Sequence, residues 1–318
     1  MEAPKIKLII IWVFILLGGN ILGQNIETNS KLNKNTNSYF SLYLNYSNDY
    51  VFMGRKDSIT APYLYFIAEY QHKSGFYANG SVSYLTKDEE SRVDLFLFDL
   101  GYNFTVDNFF GDFSVTKYFF NENSYNVLSE VDINVSALAN IDFKIVNLML
   151  TASTYLGESS SDADFFLFSE ISHDFVTNNK KFQFSPTAGI YFGSQNFYEA
   201  YYVNNRYGNG GRPKLKGKNG SGNSNNNGDK IESGFETIDT EGAQVTSELV
   251  IKESENFNLM AAEFSLPMWY IHNSLTISLK PSLVFPFNKA TIFVDDIIVK
   301  EDIKETFYWM LGCSYKFN

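Results

Sequence analysis

The three histidines, His72, His173 and His272, are the side chains of this sequence best suited to acid–base catalysis. Ser172, His173 and Asp174 form the tightest local group and have the residue types of a hydrolytic site. Adjacent residues of a strand point to opposite faces, so His173 and Asp174 could not pair if this stretch is extended. We therefore predict no catalytic residue and no enzyme, and a lipid-modifying hydrolase is the least favoured function.

Metal binding has little support in the sequence. Asp162 and Asp164 in one predicted loop, and Asp295 and Asp296 in another, carry oxygens that a hard cation prefers, but no twelve-residue calcium loop is present. We expect solvated loop acids, no metal site and no cofactor. Cys313 is the only cysteine, which excludes an intramolecular disulfide and a cysteine-based metal cluster.

The beginning of the chain has the pattern of a signal peptide. Two lysines precede an apolar run at residues 8–17, and Gly18 and Gly19 break this run before it is long enough to span a membrane as a helix. We predict a signal peptide at 1–23, export through the Sec pathway and a mature chain of 24–318. Since no second long apolar stretch follows, insertion into a membrane would have to use strands.

Alternation of apolar and polar residues over 10 to 15 positions recurs along the mature chain. Residues 126–139 show it best, with Val127, Val131 and Val135 on one face and Asp132 and Asn134 on the other. The pattern predicts an all-β fold, a single antiparallel transmembrane up-and-down β-barrel. About twelve strands are expected, at 38–52, 61–72, 74–86, 92–106, 109–122, 125–139, 143–157, 163–175, 181–196, 255–271, 274–287 and 306–317. Apolar patches at 243–251 and 291–299 would raise the number to fourteen if both were membrane strands.

Short and long connections alternate along this prediction. The links after even-numbered strands are two or three residues, whereas most links after odd-numbered strands are longer and more polar, with 123–124 as the exception. Short periplasmic turns and long outer loops are typical of outer-membrane barrels. The longest outer loop, 197–254, contains a low-complexity tract at 204–229 that we expect to be disordered.

Strand phase predicts an acidic inner face. The candidate lumen-lining residues are Glu69, Asp99, Asp112, Glu130, Asp132, Glu170, Asp174 and Glu263, with Lys117, Lys280 and Lys316 as counter-charges. Carboxylates around a water-filled path favour cations. The alternative is that these acids pair with lysines, tyrosines and amides and fill the interior. The net charge of −11 excludes nucleic acid as a partner, because a phosphate backbone needs a basic surface.

The last strand has a possible assembly signal. Trp309, Leu311, Tyr315 and Phe317 alternate toward the C-terminus, which resembles the signal that the barrel-insertion machinery recognises. At the other end, Asp49-Tyr50-Val51-Phe52 before Gly54, and Ser74-Gly75-Phe76-Tyr77, resemble motifs of the TorF-like porins; Met53 stands where that family usually has arginine. The resemblance implies an outer-membrane barrel of Bacteroidota with passive transport and establishes no substrate.

Two functions follow as expectations. The first is a porin-like barrel in the outer-membrane lipid that lets small solutes pass, with a preference for cations. The second is a closed structural or docking barrel whose outer loops bind a protein partner or a surface ligand.

Overall fold

The computed structural model describes residues 37–57, 59–157, 163–201, 249–251, 256–289, 291–294, 297–300 and 303–317. The predicted signal peptide at 1–23 and the low-complexity tract at 204–229 lie outside these ranges. Among the described residues, no helix is long and apolar enough to cross a membrane.

The described residues form strands almost throughout. The strands are β1 (Tyr39–Ser47), β2 (Tyr63–Gln71), β3 (Phe76–Leu85), β4 (Arg92–Val106), β5 (Phe109–Phe120), β6 (Val131–Asp142), β7 (Asn147–Gly157), β8 (Asp164–Ser172), β9 (Phe175–Val176), β10 (Phe182–Phe184), β11 (Thr187–Gly193), β12 (Leu249–Ile251), β13 (Asn258–Ser265), β14 (Met268–His272), β15 (Leu275–Pro286), β16 (Thr291–Val294), β17 (Ile297–Lys300) and β18 (Thr306–Phe317). One short helix, α1 (Asn196–Tyr201), follows β11.

The strands close into a barrel. Neighbours in the ring are β1 to β8 in order, then β11, β13, β15 and β18, and β18 pairs with β1. All of these pairings are antiparallel, which confirms the predicted barrel of twelve strands. The alternative of fourteen is wrong, because β12, β16 and β17 form a separate three-stranded sheet outside the ring.

Two prolines explain why several barrel strands are divided. Pro186 separates β10 from β11, and Pro267 separates β13 from β14. Proline has no N–H to donate to the ladder, so regular pairing stops there. Beyond the break, β9, β10 and β14 continue the sheet at one end of the barrel.

The connections divide into two ends. Tight turns at 72–75, 107–108, 143–146, 177–181 and 273–274 lie at the short-turn end. The opposite end, the long-loop end, carries 48–57, 59–62, 86–91, 121–130 and α1. The predicted two-residue link at 123–124 is wrong: β5 ends at Phe120 and β6 begins at Val131, because Val127 and Leu128 bury in the interior instead of extending the strand.

The two faces of the wall differ in polarity. Large apolar side chains are exposed around the outside, among them Phe40, Phe66, Phe96, Phe113, Leu150, Phe165, Phe264, Ile277 and Leu311. Polar residues on the inside are mostly buried, among them Ser41, Asn45, Glu69, Asn79, Asp99, Thr116, Asn134, Thr151, Glu263 and Ser282. An apolar outside and a polar inside are what a lipid-embedded barrel requires.

Candidate functional site

The polar inner wall has carboxylates that accept hydrogen bonds from neighbouring strands. Asp99 accepts one from Asn79 Nδ2 at 3.0 Å and one from Thr116 Oγ1 at 2.8 Å. Tyr43 donates to Glu69 at 2.9 Å, and Tyr77 donates to Asp112 at 3.1 Å. The structure therefore places Glu69, Asp99 and Asp112 inward, each beside a hydrogen-bond donor, as a buried carboxylate requires.

Glu263 lies at the centre of the most connected group. Tyr191 donates to its Oε2 at 2.7 Å, Tyr308 donates to its Oε1 at 2.9 Å, and Lys280 Nζ lies 3.5 Å from the same Oε1. The four residues come from β11, β13, β15 and β18, which are consecutive in the ring. This group, Glu263 with Tyr191, Tyr308 and Lys280, is called the Glu263 cluster.

Glu170 lies close to the Glu263 cluster across a glycine. Gly189 pairs with Glu170 on one side and with Glu263 on the other, so both carboxylates face inward on either side of a position without a side chain. Strands are about 4.8 Å apart, which puts the two Cα positions about 10 Å from each other. Two carboxylates therefore face one lysine in this part of the lumen.

Lys117 and Asp132 lie together on the outer wall, so the prediction that they line the lumen is wrong. Thr116 faces inward, and adjacent strand residues alternate, so Lys117 points outward, where it lies over the exposed ring of Phe119. Asp132 is the extra residue of a β-bulge in β6 and forms an ion pair with Lys117. A bulge shifts the phase by one residue, which the alternation alone could not show.

Two further predicted positions lie at the ends of strands. Glu130 lies in the turn before β6, so strand phase does not orient it. Asp174 follows β8, where its carboxylate accepts hydrogen bonds from Asn147 at 3.2 Å and Ser185 at 2.6 Å.

Residues 48–52, which the sequence pattern assigned to the first strand, belong instead to a segment that crosses the barrel mouth. β1 ends at Ser47, and residues 48–57, here called the mouth strap, fold inward at the long-loop end. The ring of Phe52 packs against Tyr155 of β7 and Phe166 of β8, with centroids 6.1 and 5.6 Å away, and against Phe197 of α1 at 5.3 Å. Since β7 is the strand opposite β1 in the ring, the mouth strap spans the lumen.

The tip of the mouth strap is a tight turn. Phe52 and Arg55 exchange two backbone hydrogen bonds of 2.8 Å, and Met53 and Gly54 between them have φ values of 51° and 75°. Positive φ at both central residues is the geometry of a two-residue type I′ hairpin. A glycine is needed at position 54 for a second reason, because a Cβ there would lie 2.6 Å from Cβ of Pro286.

Arg55 anchors this tip to the opposite rim. Its side chain is completely buried, and its guanidinium donates to the carbonyls of Met53 at 3.3 Å, Met260 at 3.4 Å, Phe287 at 3.2 Å and Asn288 at 2.9 Å. Planar guanidinium groups suit several acceptors at once. Arg55 thus ties the mouth strap to the ends of β13 and β15.

Helix α1 supports the mouth strap, and Asp164 positions this helix. The carboxylate of Asp164 accepts hydrogen bonds from the N–H groups of Asn196 at 2.9 Å and Phe197 at 2.6 Å, and from Ser194 Oγ at 2.6 Å. This is an N-cap supplied from a distant strand. The expectation that Asp164 is a solvated loop acid is therefore wrong: it is buried, and it aims Phe197 at the mouth strap.

The side chains with catalytic residue types do not assemble. His173 Nδ1 lies within hydrogen-bond distance of the Ile145 carbonyl, whereas Asp174 accepts hydrogen bonds from Asn147 and Ser185. His72 lies in a short turn with Nδ1 2.7 Å from Ser74 Oγ, and His272 ends β14. In the described part of the chain, no three His, Cys, Asp or Glu residues are grouped as metal ligands.

Comparisons by sequence yield no relative. No protein family matches the chain, and no curated protein matches it either. The resemblance to TorF-like porins and the attribution to Bacteroidota stay predictions.

Comparisons by structure find other barrels. The chain is similar to the KdgM porin, with 7% identity, 87% of this chain and 99% of that chain covered, and a TM-score of 0.44. It is similar to the NanC porin, with 10% identity, 87% and 100% covered, and a TM-score of 0.44. LpxR from Salmonella typhimurium shares 12% identity over 86% and 99%, with a TM-score of 0.36.

Proposed function

We propose that the protein is an integral outer-membrane β-barrel that lets small solutes pass through its lumen, with a preference for cations. The observation that carries the proposal is the inward position of Glu69, Asp99, Asp112, Glu170 and Glu263 on the wall of a closed ring. Carboxylates facing a water-filled path concentrate cations and repel anions.

The membrane location rests on the outside of the wall. Exposed phenylalanines, leucines and isoleucines occur on most strands of the ring, an apolar surface that a soluble barrel would not expose to water. The two kinds of connection agree with short turns in the periplasm and long loops outside the cell. The outer-membrane lipid is therefore the proposed environment.

Assembly by the barrel-insertion machinery is part of the proposal. Trp309, Leu311, Tyr315 and Phe317 occupy alternate positions of β18 that face outward, where a membrane partner could contact them. β18 also completes the ring by pairing with β1.

A second candidate function is favoured by the mouth strap. The mouth strap crosses the mouth of the barrel, and its residues Val51, Phe52 and Arg55 are buried there. The mouth of the barrel is therefore obstructed in this conformation. A closed barrel would serve as a docking platform, and its long loops would bind a protein partner or a surface ligand.

Ion conductance separates the two functions. Purified protein in planar bilayers should carry current, and the reversal potential in a KCl gradient should show K⁺ preferred over Cl⁻. A preference for Cl⁻ would contradict the proposed preference for cations. A complete lack of current, in the wild-type protein and in the variant Arg55→Ala, would favour the docking barrel.

A further inference from the structure

The mouth strap is attached to the barrel very differently at its base and at its tip. At the base, Asp49 accepts hydrogen bonds from the N–H groups of Tyr50 at 3.0 Å and Ala61 at 2.9 Å and forms an ion pair with Lys56 at 2.5 Å. Asn48 exchanges backbone and side-chain hydrogen bonds with Trp309 of β18. The base is therefore a compact loop fixed to β1 and β18.

Among the described residues, no backbone–backbone hydrogen bond joins the tip to the wall. The backbone bridge that it forms is internal, between Phe52 and Arg55. The described contacts that hold it on the far side come from side chains: Phe52 in its aromatic pocket, Arg55 on the carbonyls of Met260, Phe287 and Asn288, and Asp57, which accepts a hydrogen bond from Tyr201. A tip held by side chains can leave its site without breaking strand pairing.

The turn at the tip is closed by its own hydrogen bonds and carries backbone strain. Met53 adopts a positive φ of 51°, which costs free energy for a residue with a Cβ, and Gly54 lies against Pro286. Release of Arg55 would free the carbonyls at the ends of β13 and β15, which lie at the rim, where water can replace the guanidinium. A seated and a released tip are therefore two discrete arrangements of one segment.

We propose that the mouth strap is a gate: the tip closes the lumen when Arg55 is bound to the rim carbonyls, and it swings outward about the Asp49 base when Arg55 is released. This proposal rests on the proposed function, because only a barrel that passes solutes needs a gate. In this gate, the hydrogen bonds of Arg55 to the rim carbonyls hold the tip in the closed position.

The position of the tip can be followed by thiol accessibility. Cys313 is exposed on the outer wall, so a background of Cys313→Ala removes its thiol. Val51 is buried in the mouth strap and close to cysteine in size, so Val51→Cys places a reporter there with little change in packing. The reporter is treated with a membrane-impermeant maleimide in the folded, reconstituted protein, whose folding is checked by the shifted gel mobility of unheated barrels.

Arg55→Ala should increase the labelling rate of the reporter at least tenfold. Lys117→Ala is the matched control, because it removes the same charge from the outer wall and should leave the rate unchanged. Equal rates with and without Arg55, whether slow or fast, would overturn the gate. Tyr201→Phe, which deletes the hydroxyl that donates to Asp57 on the far side, should give a smaller increase and provides a test if Arg55→Ala does not fold.

Conductance of the same variants separates the gate from the proposed function. Faster labelling together with a larger or more frequent current supports both proposals. Faster labelling without current in any variant overturns the proposed passage and with it the gate, and leaves a movable strap on a closed barrel. Current that does not respond to Arg55→Ala, with unchanged labelling, overturns the gate alone.

Discussion

Lys280 lies 3.5 Å from the carboxylate of Glu263, which also accepts hydrogen bonds from two tyrosines. This pair offsets one negative charge of the lumen. Glu170, on the other side of Gly189, is a second carboxylate that faces the same lysine. The local preference for cations should therefore depend on Glu170 and Lys280 in opposite directions.

Glu170→Gln should lower the K⁺ over Cl⁻ permeability ratio, and Lys280→Met should raise it. A unit charge about 4 Å from the passing ion contributes about 1 kcal/mol in water. Each variant should therefore change the permeability ratio by up to roughly fivefold. Reversal potentials in a salt gradient provide the measurement. Asp132→Asn is the control, since Asp132 pairs with Lys117 on the outer wall; an effect of this variant as large as that of Glu170→Gln would contradict the assignment of faces.

Tyr191→Phe and Tyr308→Phe should each lower the free energy of unfolding by about 1 to 3 kcal/mol, because each leaves the buried Glu263 carboxylate with one donor fewer. Urea unfolding of the reconstituted barrel provides the value. Tyr315→Phe on the outward face should change it by much less. Equal losses at all three positions would argue against the Glu263 cluster as a stabilising group.

Asp164→Ala should weaken the contacts that hold the mouth strap against α1. The loss of an N-cap costs about 1 kcal/mol, and here the capped helix carries Phe197 and Tyr201, which contact Phe52 and Asp57. The thiol reporter at position 51 should label faster than in the parent and more slowly than with Arg55→Ala. Asp164→Asn retains an acceptor and should have a smaller effect; no change with either variant would mean that α1 does not support the strap.

Gly54→Ala should destabilise the closed strap, because the new methyl group would meet Pro286 and φ is positive. We expect a cost of at least about 1 to 2 kcal/mol in the closed conformation and faster labelling at position 51. Gly80→Ala is a suitable comparison, since its Cβ would meet only Phe98, at an ordinary 3.8 Å. A glycine-to-alanine change is neutral or favourable by about 0.5 to 1 kcal/mol within a strand.

The barrel could be predicted from the sequence because its signal is repeated. Each strand alternates, and a run such as Phe96, Phe98 and Leu100 appears on the exposed outside as the pattern requires. The inward carboxylates Glu69, Asp99, Asp112, Glu170 and Glu263 followed from the same phase. Regular strands therefore place their side chains without further information.

The mouth strap could not be predicted by that rule. Tyr50, Val51 and Phe52 form a short apolar run beyond β1, and all three are buried inside the mouth instead of facing lipid. A short apolar run is equally compatible with a strand and with a buried loop. Gly54 after this run is a local signal that indicates a turn.

Long-range contacts and irregular pairing account for the other differences. Asp164 caps a helix that begins 32 residues later, so no spacing rule for helix caps applies. The bulge at Asp132 reversed the expected face of this residue. Lys117 follows the inward Asp112 by five positions in one regular strand. Because an odd separation places two side chains on opposite faces, alternation itself required Lys117 to face outward.

The contacts of Arg55 also set an order on folding. Its partners Met260 and Asn288 lie 205 and 233 residues further along the chain, and β1 itself pairs with the last strand. The loop-closure entropy of the whole chain must be lost before either contact forms, which slows topologies of this kind. The first loop is thus among the last parts to reach its native site, and until then its apolar tip remains exposed to water, where it can aggregate.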